Sequence, residues 1–216
     1  MATDARVDPR AERTRRQIRD AVVALAGSGA EPITVSAVAR AAGVNRSSFY
    51  AHFDSLEDVA CSMLDESLAE IADLGWRERA TPGADRGAQG RRDLLALVGH
   101  VSQHRAFYAA VLARGAAAAP AQNHVASVLR SRFEESFLRY GALEIAGEPA
   151  VTAASIGVGA ALAALVTAWL RDDLSCSAEE LAAHCAEVFP EWTRRLQAPG
   201  ATTAPHDTHL EARRAP

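Results

Sequence analysis

Lysine is absent from this 216-residue chain, and all 23 basic residues are arginine. Arginine, alanine and glycine have GC-rich codons and lysine has AT-rich ones. The bias therefore reads first as the base composition of a high-GC bacterial genome, and an isolated arginine is weaker evidence for bidentate recognition than usual. Cysteine is nearly as scarce. Cys61, Cys176 and Cys185 are too few and too scattered for a disulfide framework or a zinc site, which fits a reducing cytoplasm. Alternating β-branched runs and Asn-Gly or Asp-Gly turns are missing, which argues against a sheet. The stretch Met1 to Asp20 has no apolar run, so it does not read as a secretory signal. A glycine-rich phosphate loop, a G-x-S-x-G elbow and a paired-carboxylate arrangement are also lacking. The expectation is a protein that is not an enzyme and needs no cofactor.

What is present is apolar and helical. Apolar residues make up 49% of the chain, ample for a packed core. The net charge is -4, yet residues 10 to 54 carry seven arginines against four acids, a net of +3. A basic N-terminal module on an acidic protein is compatible with nucleic-acid binding at one end, and also with ordinary charge scatter. The 21 residues from Ala150 to Leu170 carry no charge. Their length suits a membrane span. Their alanine, glycine, serine and threonine content and their lack of anchors at both ends favour a buried helix instead.

Capping signals divide the chain. Asp8 with Pro9, or Thr14 with Gln17, starts a first helix through Ile18, Val22 and Leu25, ended by Gly27 and Gly29. Thr34 caps a second, ended by Gly43; Asn45 caps a third reaching Phe53. Ser55, with Asp58 three residues on, opens a fourth whose face is Val59, Met63, Ile71 and Leu74. Residues 77–92 read as a loop. Leu94, Leu97, Val98 and Val101 mark the next helix, and Phe107, Val111 and Leu112 another up to Gly115. Residues 116–120 read as a break. Val125, Leu129, Phe133, Phe137 and Tyr140 then recur about every fourth residue. In the uncharged segment Val158, Leu162, Leu165 and Trp169 share one face, and Ile156, Ala163, Val166 and Leu170 another. A helix apolar all round must be covered all round, so a second subunit is expected there. Ser177 with Glu180 opens a last helix along Leu181, Cys185, Val188 and Trp192, which Pro190 should kink or interrupt. Residues 197–216 have no periodicity and read as a disordered tail.

Residues 34 to 54 carry the chemistry. They read helix, tight turn, helix, with Gly43 supplying backbone freedom and Val44 plugging the angle. Val38, Ala39 and Ala42 let the two helices approach closely. The helix after Asn45 presents Arg46, Ser47, Ser48, Tyr50 and His52, with Phe49 and Phe53 on its buried side. A short helix with small polar residues at its start suits a major groove. Its first turn reaches base edges, while hydroxyl and imidazole groups reach phosphates. Helix–Gly–helix alone also describes a tight corner in any all-α protein.

The order of these residues is more specific. Residues 10 to 60 resemble the N-terminal domain of the TetR family of bacterial transcriptional regulators. The resemblance lies in the Arg-rich start of the first helix, Thr34 opening the second, and Ala39 with Ala41-Ala42-Gly43-Val44. Phe49-Tyr50-x-His52-Phe53 and Ser55-x-Glu57-Asp58 continue it. The C-terminal half resembles the family only in layout. The resemblance implies an all-α homodimer with an N-terminal three-helix helix-turn-helix DNA-binding domain and a larger helical ligand-binding and dimerisation domain. It further implies that Thr34 and Ser36 lie near the DNA backbone. Asn45, Arg46, Ser47 and Ser48 would face bases or neighbouring phosphates, and Tyr50 and His52 would hold phosphates. Leu56 stands where the family usually has lysine, so a phosphate contact is lost there, although free backbone N–H groups at that helix start can still bind a phosphate. Arg10, Arg13, Arg15 and Arg16 fit a phosphate or minor-groove arm. They equally fit a solvated helix start.

The expected divisions are an N-terminal arm over 1–8, the DNA-binding domain over 9–54, a connecting helix over 55–76, the loop over 77–92, the effector and dimer domain over 93–196, and the tail. The expected partners are double-stranded operator DNA, a second copy of the chain and a small, largely apolar effector, with no membrane. His104, Phe107, Tyr108, Phe133, Phe137 and Trp169 are candidates for an effector pocket. Val158, Leu162, Leu165, Leu181, Val188 and Trp192 are candidates for the dimer interface. The alternatives are a helical adaptor, or a regulator that senses metal through His100 and His104 (with His124 as a third ligand) or oxidants through its cysteines. His100 and His104 have i, i+4 spacing but lack the glutamate of H-E-x-x-H.

Overall fold

The computed structural model describes residues 8–28, 33–79, 85–113 and 118–196. The expected arm, apart from Asp8, and the expected tail lie outside these residues. Among the described residues every regular element is helical.

Helix α1 (Pro9–Gly27) starts at Asp8, whose side chain accepts from the Arg10 backbone N–H at 2.9 Å. Proline at the first position loses only an N–H that the helix leaves unpaired anyway. Helix α2 (Val35–Ala41) is capped by Thr34, and α3 (Arg46–Tyr50) by Asn45. Helix α3 is shorter than the expected reach to Phe53. Ala51 ends it, and the Phe53 N–H still returns to the Phe49 carbonyl at 2.9 Å.

Helix α4 (Leu56–Arg79) and α5 (Arg86–Gln103) correct the expected loop over 77–92. Residues 77–79 complete α4, and Asp85 caps α5 through the Ala88 N–H at 2.9 Å. Gly87 and Gly90 therefore sit inside a helix, where a strong N-cap and helix packing override their weak propensity. The face of α4 is also narrower than expected. Val59 and Met63 are buried and Ile71 is half-buried, but Leu74 is 57% exposed.

Helix α6 (Arg105–Tyr108) runs into a π-helical turn (Ala109–Ala113). Helix α7 (Ala118–Arg139) begins inside the expected 116–120 break, and Pro120 lies in its first turn, where proline is tolerated. A short α8 (Ala142–Ala146), which periodicity does not reveal, leads into α9 (Glu148–Leu170). Ser177 and Glu180 form the expected reciprocal cap on α10 (Ala178–Glu187), with bonds of 2.8 and 3.1 Å. The chain breaks at Pro190 before α11 (Thr193–Leu196).

One continuous core runs from Ile18 and Val22 of α1, through Val59 and Leu64 of α4, to Leu162 of α9 and Leu181 of α10. Helix α1 packs on α2 and α6, α4 on α5 and α7, and α10 on α5. The most extensive contact joins α7 and α9. Helix α9 is long and apolar enough to cross a membrane by length and composition. Here it is a core helix, with Val158, Leu162, Trp169 and Leu170 buried against the rest of the chain.

Candidate functional site

Helices α2 and α3 meet at a four-residue turn. Gly43 has φ +69°, a left-handed conformation that strains any residue with a Cβ. The Val44 N–H then returns to the Ala39 carbonyl at 2.9 Å, and half-buried Val44 packs against the core between the helices. Phe49 and Phe53, at 0% and 2% exposure, anchor α3 from beneath.

The expected DNA-facing residues divide in two. Thr34 and Asn45 are exposed, but their side chains are occupied as caps. Thr34 Oγ1 accepts from the Ala37 N–H at 3.2 Å. Asn45 Oδ1 accepts from the Ser48 N–H at 2.7 Å and from the Ser47 hydroxyl at 2.6 Å. Their first task is to fix the helix starts. Ser36, Arg46 and Tyr50 are exposed and make no side-chain hydrogen bond among the described residues. The Arg46 guanidinium lies 5.9 Å from the centre of the Tyr50 ring, and Tyr50 packs edge-on against Phe49 at 5.5 Å. The buried Phe49 thus braces Tyr50, and Tyr50 braces Arg46. Ser48 and His52 are half-buried.

Helix α1 brings further charge to the end of α3. Arg15 sits 5.5 Å from the centre of the Phe53 ring, and its guanidinium points at the His52 carbonyl 3.5 Å away. It stands beside α3, so it is not a free arm. Arg10, Arg13, Arg16 and Arg40 are exposed and form no ion pair among the described residues. Arg19, by contrast, is spent in structure, pairing with Glu12 at 3.1 Å and with Glu66 of α4. The start of α4 is self-capped: Ser55 Oγ accepts from the Asp58 N–H at 3.2 Å, and Asp58 Oδ2 accepts from the Asp54 N–H at 3.1 Å. Leu56 is half-buried against the core, so it supplies packing where lysine would supply charge.

A cavity of about 300 Å³ lies between α4, α5, α7 and the α10–α11 end of the chain. Phe133 and Phe137, of the six candidate pocket residues, line it, together with Leu68, Ile71, Leu94, Leu97, Tyr140, Phe189 and Leu196. The rings pack edge-to-face, with Phe133 5.3 Å and Phe137 6.3 Å from Phe189. The other four expected pocket residues lie elsewhere. Phe107 and Tyr108 are fully buried core. Trp169 donates its indole N–H to the Cys176 carbonyl at 2.9 Å and carries the Arg105 guanidinium 4.3 Å from its ring. His104 packs on His100, at 4.9 Å between ring centres. An amphipathic stripe shows which residues turn inward; it does not show which of them border a gap.

His100 Nε2 and the Tyr108 hydroxyl share a hydrogen bond of 2.8 Å. Burial, and the neighbouring His104, push the His100 imidazole down to about 4, so it is neutral at pH 7. Burial pushes His104 down as well. His124 is exposed on α7, and among the described residues no cluster of three or more metal-ligating side chains forms. Burial pushes the thiol of Cys61 up to about 12 and that of Cys185 up to about 11, away from the reactive thiolate.

The expected dimer residues need the same correction. Val158, Leu162 and Leu181 are buried at 0–1% within the single chain, so they are core rather than an outward face. Leu165, Val188 and Trp192 are half-buried. The face that α9 leaves uncovered is Ala153, Ile156, Gly157, Ala160 and Ala164, with Ile156 48% exposed.

Comparison with known proteins agrees with this architecture. The profile of the bacterial regulatory proteins of the tetR family matches residues 18–60. FadR of Thermus thermophilus, a TetR-family transcriptional repressor solved with lauroyl-CoA, superposes with a TM-score of 0.60 at 15% identity, over 81% of this chain and 92% of that one. The dihydroxyacetone kinase operon activator DhaS gives 0.55 at 15% identity, over 85% and 96%. A TetR-family transcriptional regulator from Rhodococcus sp. gives 0.52 at 18% identity, over 87% and 100%. At these identities the likeness is one of fold. The search of curated proteins gives no match. Residues 18–60, which contain the helix-turn-helix at residues 34–54, are thus similar to the N-terminal domain of the TetR family of bacterial transcriptional regulators.

Proposed function

We propose that the protein is a ligand-responsive repressor that binds a palindromic operator as a homodimer, with residues 9–54 as the DNA-reading unit. The observation that carries this reading is the presentation of α3: a strained glycine turn aims it, buried Phe49 and Phe53 hold it, and exposed Arg46 and Tyr50 crown it. Arg46 is the base-reading candidate, since a guanidinium recognises guanine edges in the major groove. Tyr50, Ser36 and the unpaired Arg10, Arg13, Arg16 and Arg40 suit phosphates.

In this reading two copies meet across the uncovered face of α9, and the 300 Å³ aromatic cavity is the effector site. Its volume is at the lower end of small-molecule sites, and its lining is mostly apolar. The effector acts by binding better to the form of the dimer whose recognition helices are wrongly spaced; tight binding to both forms would shift nothing. Selection from a random duplex pool tests the proposal. It should return an inverted repeat with half-sites about one helical turn, ~34–36 Å, apart. Unselected sequence, or single half-sites, would refute it.

A further inference from the structure

One residue of the cavity lining is held in a charged fork. Arg132 of α7 lines the cavity and reaches to Asp65 of α4, which stands behind the lining. Its Nε donates to Oδ1 at 2.6 Å and its Nη2 to Oδ2 at 2.8 Å, a bidentate pair. The remaining Nη1 meets Glu135 at 3.2 Å. Among the described residues Arg139 and Asp73 form a second α4–α7 ion pair, longer at 3.6 Å. Arg91 and Arg194 also line the cavity, and neither forms an ion pair among the described residues. On the acidic side, Glu187 is likewise unpaired, and Asp93 accepts from the Gln89 amide at 2.8 Å. On the lining itself Arg91, Arg132 and Arg194 stand against Asp93 and Glu187, with Asp65 and Glu135 holding Arg132, and these charges border an aromatic interior.

We propose that the cavity takes an apolar carboxylate, and that the carboxylate of the ligand replaces Asp65 on the Arg132 fork. The inference rests on the effector-site reading above and names the class of effector. Bidentate guanidinium geometry fits any carboxylate equally well, so Asp65 is a competitor that an incoming acid displaces. The apolar body supplies the driving force by leaving water among Phe133, Phe137 and Phe189. A neutral analogue has nothing to offer the fork, and a cation meets the Arg132 guanidinium with like charge. Displacement opens the shorter of these α4–α7 ion pairs. Because α4 begins just after α3, a freed α4 changes how the recognition helix is held.

The test is calorimetric titration of the full-length protein with 4-phenylbutyrate and octanoate, each beside its primary amide, without DNA. The acids should bind at least tenfold more tightly than the amides. Asp65→Asn, which removes the competing charge and keeps the shape, should tighten acid binding several-fold. Arg132→Gln, checked for retained helicity, should erase the preference for acid over amide. Equal affinity for acid and amide, no binding of either acid, or an Asp65→Asn variant that binds acid no more tightly than wild type overturns the proposal. Because binding is read without DNA, a chain that takes up acid but binds no operator supports the ligand assignment and overturns the regulatory reading alone.

Discussion

Gly159 of α9 lies against the backbone of Arg130 in α7, so closely that a Cβ on it would stand 2.8 Å from the Arg130 nitrogen and 2.8 Å from the Ala126 carbonyl oxygen. Neither atom belongs to a side chain that can swing away. This approach sets the spacing of the most extensive helix pair in the molecule. Gly159→Ala should force α7 and α9 apart and cost ~1–3 kcal/mol. Gly99 is the control, since a Cβ there meets nothing within 4 Å. Gly99→Ala should stabilise by ~0.5–1 kcal/mol, because helix-interior glycine is the weaker former. Urea denaturation of both variants measures the two effects, and the opposite signs are the prediction.

If α3 reads DNA as proposed, Arg46 and Tyr50 should make separable contributions to binding. Arg46→Ala should cost ~1–3 kcal/mol at particular base positions and relax specificity there. Tyr50→Phe should weaken binding to all sequences about equally and change its salt dependence little, because tyrosine carries no charge to release counterions. Binding titrations across operator variants at several salt concentrations distinguish them. A loss for Arg46→Ala that is uniform over sequence would make Arg46 a phosphate anchor.

The buried histidines predict a pH dependence. His100 is held near 4 in the folded chain and returns to about 6.5 when unfolded, so the unfolded state binds more protons between those values. Stability from this residue is fully present above pH 6.5 and is lost as pH falls toward 4. His104, also pushed down by burial, acts in the same direction. Thermal melts at pH 7.5 and pH 5 should show a smaller drop for His100→Gln than for wild type. An equal drop would mean that carboxylates alone account for the acid sensitivity.

The uncovered face of α9 predicts the oligomer. Ile156→Asp places a charge among Ala153, Gly157 and Ala160, so it should leave the monomer fold intact and abolish association. Sedimentation should then report one chain where wild type reports two. Leu162→Asp, at a site with no exposure, should instead unfold the protein.

The sequence was most informative where a single residue type performs a local task. Asp8, Thr34, Asn45, Ser55 and Ser177 each cap the helix their chemistry suggests, and Gly43 takes the left-handed turn. Long-range geometry was less legible. The glycines at 87 and 90 signal a loop, yet Asp85 and packing on α4 make them helical. Phe107 and Phe137 look alike along the chain, but one is sealed in the core and the other borders a cavity. Val158 and Ile156 are both apolar positions on α9, and only the packing of the other helices around it decides which faces outward. The Arg132–Asp65 fork joins residues 67 positions apart, which no local pattern reveals.

On the proposed reading α3 reads duplex DNA as one half of a dimer. Fluorescence anisotropy on the DNA upstream of the protein's own gene, titrated with nonspecific competitor at several salt concentrations, tests it most directly. Binding should be saturable, resist competitor at two protomers per duplex, and be lost in Ile156→Asp. Binding that competitor abolishes, on this DNA and on sequences selected from a random pool, would contradict that reading.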